Sequence, residues 1–369
     1  MQPSFLQYVL NKAYQNKIAA SGTLELTARC NLSCKMCYIH KTQNDGAALA
    51  KEMPAEFWLD AVRQAREAGT LTMLITGGEP LLRKDFREIY FACKQAGFLV
   101  SVNTNGTLLR DEDIAFFAKY PPVRLNISLY GASRATYTAL CGIGEMYDRT
   151  VENIRKLRAA GVCVKINYTV TPYNREDAAA IFAFGREVGA PVQHTTYLFP
   201  PVRTCGGFCG EVTRLDPQEA AKCELLCTRE MLSEEDFRSR RAAILAGTAG
   251  VIVSDEDCTR DPTERIFCRA GTSSYWITYD GRLLPCGMLQ EPSFPLTDRS
   301  FTEAWRSIQE ATNQIMMPAQ CTNCQLRPHC EVCAAVCYGE SGAFSAVPKY
   351  LCDKTKATLA LYRNWEEST

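Results

Sequence analysis

From Gly22 onward the chain alternates short β-branched, apolar runs with longer amphipathic segments that close on glycine. Runs at 23–27, 71–75, 98–103, 123–128, 162–169 and 192–197 carry the strand pattern. Between them 54–68 reads as a helix, opened by Pro54 and stopped by Gly69. So do 84–96 before Gly97, 148–160 before Gly161 and 175–188 before Gly189. Six strand–helix units in succession predict a parallel sheet with right-handed crossovers. Six falls short of the eight strands that close a barrel. The expected fold class is therefore α/β, a partial (β/α)6 TIM-type barrel open on one side.

Residues 1–21 read as an arm or short helix ahead of this unit, which spans 22–237. From Phe199-Pro200-Pro201 the chain leads out through one or two helices at 216–246, and 238–262 bridges to the C-terminal part. At 263–369 the texture changes to short strands, turns and dense cysteines. There Ser274–Tyr279 and Arg282–Cys286 flank Asp280-Gly281, a hairpin signal that brings Cys268 and Cys286 together at the open end.

With 369 residues and 46% apolar side chains, the chain buries a large core and is expected to hold two domains. Lysine plus arginine equals aspartate plus glutamate at 41 each, so no global field recruits nucleic acid or an anionic membrane. Phe5 to Leu10 is too short for a signal peptide and is broken by Gln7, and no run reaches membrane-spanning length. A soluble, cytoplasmic protein with no nucleic-acid or membrane partner is expected. The nineteen cysteines stand out. In a large chain without an export signal their close spacing favours metal ligation over disulfides.

The central stretch is Cys30-Asn-Leu-Ser-Cys34-Lys-Met-Cys37, just after the first strand. Three thiols on one tight loop suit three irons of a cubane 4Fe–4S cluster and leave the fourth iron to a small molecule. A zinc loop lacking one ligand, or buried thiols, is the plainer alternative. In parallel α/β sheets ligands sit at the C-terminal strand ends, and polar residues fall there in turn. Strand two runs into Gly77-Gly78-Glu79-Pro80, strand three ends in Asn103-Thr104-Asn105-Gly106, strand four reaches Ser128, and strand five carries Asn167.

This order of motifs resembles the radical S-adenosylmethionine (SAM) superfamily. The resemblance implies that SAM chelates the open iron and that the cluster cleaves it to a 5′-deoxyadenosyl radical. Gly77, Gly78 and Glu79 look like the motif whose backbone and acid contact the SAM amino group. Ser128 resembles the family's serine near the SAM ribose or carboxylate. Met36 and Tyr38 flank the third cysteine where relatives pack adenine, and Asn103, Asn105 and Asn167 share the same mouth. Relatives often place an arginine for the SAM carboxylate after strand four. The nearest equivalent here is Cys141, so Arg134, Arg149 or backbone is left to serve.

Downstream lie Cys268, Gly281-x4-Cys286, Cys321-x2-Cys324-x5-Cys330-x2-Cys333-x3-Cys337 and Cys352. They resemble the SPASM extension, which binds two auxiliary 4Fe–4S clusters, although the step after Cys330 is two residues rather than three. Carried over, one cluster takes Cys268, Cys286 and Cys333, with Cys258, Cys337 or nothing as fourth ligand. The other takes Cys321, Cys324, Cys330 and Cys352. A zinc ribbon of Cys321, Cys324, Cys330 and Cys333 is the alternative. Cys205, Cys209, Cys223 and Cys227 read as buried or idle thiols rather than a further site.

The resemblance implies an oxidoreductase or maturase reduced by a flavodoxin- or ferredoxin-type donor in an anaerobic host. A peptide or protein substrate is expected, and a small-molecule enzyme or a non-catalytic electron carrier are the alternatives. No residue is singled out as catalytic. Gly287 stands where sulfatase-maturating relatives carry an aspartate, which argues against formylglycine formation. Cys141, Cys163 or Cys258 is a thiol that an epimerase would need. His40, His194 and His329 read as structural.

Overall fold

A computed structural model describes residues 4–39, 41–200, 213–248 and 268–365. His40, Cys205, Cys209 and Cys258 lie outside them. Helix α1 (Phe5–Gln15), capped by Ser4 and Gln7, fills the predicted arm. Then β1 (Ser21–Glu25), α2 (Ala55–Glu67), β2 (Thr72–Thr76), α3 (Phe86–Gln95), β3 (Leu99–Thr104) and α4 (Asp111–Lys119) succeed one another. The unit continues through β4 (Arg124–Ser128), α5 (Arg134–Cys141), α6 (Met146–Ala159), β5 (Val164–Thr169), α7 (Ala178–Val188) and β6 (Val192–Thr195). Strands β1 to β6 pair in parallel in chain order, as the partial barrel requires. Helices α4 and α5 are additions to the predicted set. At nine and eight residues they are too short for a helical period to stand out from the sequence.

The cysteine-dense part does not form a sheet of its own. After α8 (Pro217–Met231) and α9 (Glu234–Leu245) come β7 (Ser274–Ile277), β8 (Arg282–Leu284) and β9 (Phe294–Pro295). The expected hairpin is present, with Leu283 opposite Ile277 and Leu284 opposite Trp276. Strand β7 also lies parallel to β1, so among the described residues one sheet of nine strands runs β9-β8-β7-β1-β2-β3-β4-β5-β6. The close approach explains Gly22: a Cβ there would stand 2.4 Å from the Tyr275 hydroxyl. That hydroxyl lies 2.9 Å from Thr70 Oγ1. Helix α10 (Phe301–Thr312) covers the junction, and its Trp305 Nε1 donates to Lys17 O at 3.3 Å. Helices α11 (Ala334–Ser341) and α12 (Lys349–Arg363) complete the chain, α12 lying along α8.

The strands alternate in a way that leaves the barrel interior polar. Val100, Val102, Leu125, Ile127, Val164 and Ile166 are buried in the core beneath the helices. Their neighbours Asn103, Ser128, Asn167 and Thr169, with Arg124 and Lys165 deeper down, line cavities instead. In the interior Arg124 Nε donates to Asn126 Oδ1 at 3.0 Å, and Asn126 Nδ2 to Asn103 Oδ1 at 2.8 Å. A closed barrel packs its interior with branched apolar side chains. This one is built to hold something polar.

At the open side, Glu224 of α8 ties three elements together. It lies 3.1 Å from His194 Nε2 of β6 and 3.4 Å from Lys354 Nζ of α12, and accepts from Thr196 Oγ1 at 2.7 Å. Burial alone would raise its pKa. The charges of His194 and Lys354 and the hydrogen bonds hold it instead well below the ordinary carboxylate range. His194 is thus structural, as its sequence suggested, but with a partner that the sequence did not show. Glu224→Ala would leave Lys354, only 3% exposed, as an unpaired buried cation. Such a loss costs about 3–5 kcal/mol, to be read by thermal or denaturant unfolding. Because the folded value is depressed, the carboxylate's contribution is full above pH 4.5 and fades as the pH falls below it. The variant's acid sensitivity should be correspondingly smaller.

Candidate functional site

The cysteine loop hangs from the C-terminal end of β1 and is held by backbone at several points. Arg29–Cys30 pairs with Lys41–Thr42 across its base. Its tip docks on the C-terminus of α5, where Ser33 N–H donates to Cys141 O at 3.2 Å and Lys35 N–H to Leu140 O at 2.9 Å. These contacts satisfy carbonyls that a helix end would otherwise leave without partners. Asn31 Nδ2 reaches Thr107 Oγ1 at 2.8 Å, and Asn105 Nδ2 donates to Asn31 Oδ1 at 2.9 Å. The loop is therefore anchored to both β3 and α5 before any ligand is considered.

Cys30, Cys34 and Cys37 line a cavity of about 410 Å³ at the C-terminal strand ends. The size suits a small-molecule cofactor. Met36, Tyr38, Gly77, Gly78, Asn103, Asn105, Ser128 and Asn167 line it as well, so residues spread over more than a hundred positions meet at one mouth. Cys30 Sγ accepts from Leu32 N–H at 3.4 Å and from Asn105 Nδ2 at 3.6 Å. Such donors suit a metal-bound thiolate. Burial and the nearby Glu79 push the Cys30 thiol well up. Contact with Cys141, together with burial, does the same for Cys34. Thiols so placed need a positive centre to ionise, which fits an iron–sulfur group and gives an isolated thiolate no support.

Glu79 has its carboxylate engaged by the chain's own donors. It is fully buried and does not line the cavity. Its carboxylate accepts from Thr104 Oγ1 at 2.9 and 3.0 Å, Asn105 N–H at 2.7 Å and Leu81 N–H at 3.1 Å. Burial raises its pKa to about 7 against those donors. Glu79 is a brace that fixes the Thr104–Asn105 turn beside the cysteines. Arg134 and Arg149 also fall away from the site. Both are exposed, Arg134 pairs with Asp148 at 2.5 Å, and neither lines the cavity.

The paired glycines have a steric reason that the sequence did not reveal. A Cβ at Gly78 would lie 2.4 Å from Arg29 O and 2.6 Å from Ala28 O, and one at Gly77 would lie 2.5 Å from Thr27 O. The turn packs directly on the chain leading into the cysteine loop, where Gly78 N–H donates to Thr27 O at 2.7 Å and Glu79 N–H to Arg29 O at 2.8 Å. Gly78→Ala should therefore displace the cysteine loop. We expect a stability loss of about 1–3 kcal/mol and a drop in bound iron, read by unfolding and iron analysis of the same preparation.

Tyr130 is a cavity residue that the sequence reading missed. It lies two residues beyond Ser128 at the same strand end. The i, i+2 spacing from Ser128 was the available signal.

The second group of cysteines divides by neighbourhood. Cys321 lies near Cys352, Cys330 and Cys324, and Cys330 near Cys352 and Cys324. Cys333 neighbours Cys286 instead, and burial pushes its thiol up to about 12. Cys337 sits among Cys321, Cys333, Cys330 and Cys352, between the groups. Cys268 lies just before the Ala270–Ser274 bridge, at the end of the hairpin toward which Cys286 runs. Among the described residues no three His, Cys, Asp or Glu side chains meet closely enough for a single ion. A polynuclear centre spreads its thiolates further apart than one ion does. Cys223 and Cys227 are buried in the barrel core beside Tyr168, as idle thiols should be. No helix among the described residues is long and apolar enough to cross a membrane.

Residues 24–185 match the model of the Radical SAM superfamily. The chain is 28% identical over 334 residues to an AdoMet-dependent heme synthase of Methanosarcina barkeri, covering 87% of this chain and 92% of the relative. It is 31% identical over 266 residues to a probable GTP 3′,8-cyclase of Saccharolobus solfataricus, covering 71% of this chain and 81% of the relative. Among solved structures, SuiB of Streptococcus suis bound to S-adenosylmethionine shares the fold. Its TM-score is 0.67 at 18% identity, over 93% of this chain and 80% of that one.

Proposed function

The chain belongs to the radical SAM superfamily, and from that premise we propose that Cys30, Cys34 and Cys37 hold a 4Fe–4S cluster whose remaining iron takes SAM. Such a cluster, once reduced, supplies the electron that splits SAM and yields the 5′-deoxyadenosyl radical that takes hydrogen from a substrate. The chain's own residues bind and position. Leu32 N–H and Asn105 Nδ2 hold Cys30 Sγ. Gly77 and Gly78 present backbone to the cavity, and Met36, Tyr38 and Tyr130 offer apolar surface for a base. Ser128, Asn103 and Asn167 offer hydroxyl and amide groups to the polar parts of a ligand. Leu32, Ile39 and Leu198 close the cavity with apolar side chains that exclude water. The observation that carries this reading is the convergence of the three cysteines with the glycine turn and the strand-end amides on one cavity.

The cysteine neighbourhoods support two auxiliary 4Fe–4S clusters of SPASM type. One is held by Cys321, Cys324, Cys330 and Cys352, the other by Cys268, Cys286 and Cys333, with Cys258, Cys337 or no residue as its fourth ligand. A flavodoxin or ferredoxin is the proposed electron donor. The substrate proposed is a peptide or protein segment, in line with SuiB, which is also known bound to its precursor peptide SuiA. A small-molecule substrate is the second reading, favoured by the near full-length likeness to a heme synthase. Protein purified and reconstituted without oxygen should carry iron and sulfide and release 5′-deoxyadenosine on reduction with SAM. Its absence from a cluster-loaded preparation would overturn the reading.

A further inference from the structure

We propose that the outer edge of β6 binds the substrate as an added β-strand, which makes an extended peptide segment the ligand of the open side of the barrel. The inference rests on the radical SAM reading and deepens it. Among the described residues β6 is the last strand of the sheet and pairs with β5 alone. Two bonds fix which way its main chain points: Ile166 N–H donates to Pro191 O and Val170 N–H to Thr195 O, each at 2.9 Å. In a parallel ladder the carbonyls of Pro191 and Thr195 then face β5, and the N–H and C=O groups of Val192 and His194 face outward. Among the described residues no hydrogen bond engages those outward groups.

The edge is not left to bulk solvent. It runs along a cleft of about 840 Å³ bounded by Phe182, Arg186 and Met231 on one side and by Arg124 and Lys165 on the other. This cleft shares Gln193, His194 and Thr195 with the cavity of the cysteine loop. The edge is also rigid, because Glu224 holds the His194 ring and the Thr196 hydroxyl. Phe182 packs edge-on against the same ring with centroids 6.1 Å apart. A stiff strand edge, without a strand partner among the described residues, recognises another extended backbone, since only a peptide repeats donors and acceptors at the same spacing. A segment laid there stands about 4.8 Å from β6. Alternate side chains then point with Gln193 and Thr195 toward the cofactor cavity, and the others point away. The residue to be modified is therefore one of the inward set, and its neighbours at i±2 are the next most exposed to the chemistry.

The test uses the full chain, reconstituted without oxygen, and dodecapeptides selected on it from a random-sequence library. In the free protein the amide hydrogens of Val192 and His194 should exchange quickly, and a bound peptide should slow them about tenfold or more. N-methylation along the peptide should weaken binding at every second residue only. His194→Pro removes the outward N–H at an edge position that tolerates proline, and should weaken binding about tenfold. His194→Ala keeps the N–H while losing the Glu224 contact, and should weaken binding clearly less than His194→Pro does. Slow exchange at this edge in the free protein would mean that the chain's own residues cover it, and overturns the proposal. So would a failure to select any binder, a methylation pattern without alternation, or unchanged binding by His194→Pro. Release of 5′-deoxyadenosine by the same preparation keeps a failure here apart from a failure of the cofactor reading.

Discussion

Replacing Cys34 by alanine is expected to leave a folded protein that no longer cleaves SAM. Cys34 is 9% exposed and belongs to the barrel core, so losing its sulfur opens only a small void worth about 1 kcal/mol. The loop itself should stay in place, because Ser33 and Lys35 hold it to α5 through backbone and Asn31 holds it to Thr107 and Asn105. What is lost is one of three thiolates around the proposed cluster, and three is already one short of a full set. Changing a group that merely orients a metal ligand costs about 10–100-fold in affinity or activity, and removing a ligand costs at least that. 5′-Deoxyadenosine formation should fall by roughly a hundredfold or more while the melting temperature moves by a few degrees. Parent-level cleavage by Cys34→Ala would show that this loop does not hold the cluster.

Cys352→Ala should have the opposite profile. Cys352 lies on α12 beside Cys324 and in the neighbourhood of Cys321, remote in sequence from the cysteine loop. If it serves an auxiliary cluster, its loss removes about four irons of roughly twelve and leaves reduction and cleavage of SAM measurable. Conversion of substrate should stop, because the electron left after hydrogen abstraction has nowhere to go. Iron analysis with 5′-deoxyadenosine and product quantified on one sample checks all three. An unchanged iron content would contradict the ligand assignment.

The barrel was legible because its signal is local. Each of the six strands lies within two residues of its sequence reading at its start, and Gly97, Gly161 and Gly189 end helices as read, all with positive φ. Most of the site came from the rule that strand ends gather the ligand residues. What escaped depends on distant partners. Nothing near Glu79 reveals that Thr104 and Asn105 claim its carboxylate, and nothing near His194 reveals Glu224 thirty residues away. That β7 joins β1 is likewise invisible locally, since Ser21 and Ser274 are far apart in the chain.

The most direct test is the electron paramagnetic resonance spectrum of a variant with Cys321, Cys333 and Cys352 all replaced, so that the signal comes from the cysteine loop alone. Reduced without oxygen, it should show a cluster signal that changes when SAM is added, because SAM joins the iron that Cys30, Cys34 and Cys37 leave open. A cluster signal indifferent to SAM would contradict the account.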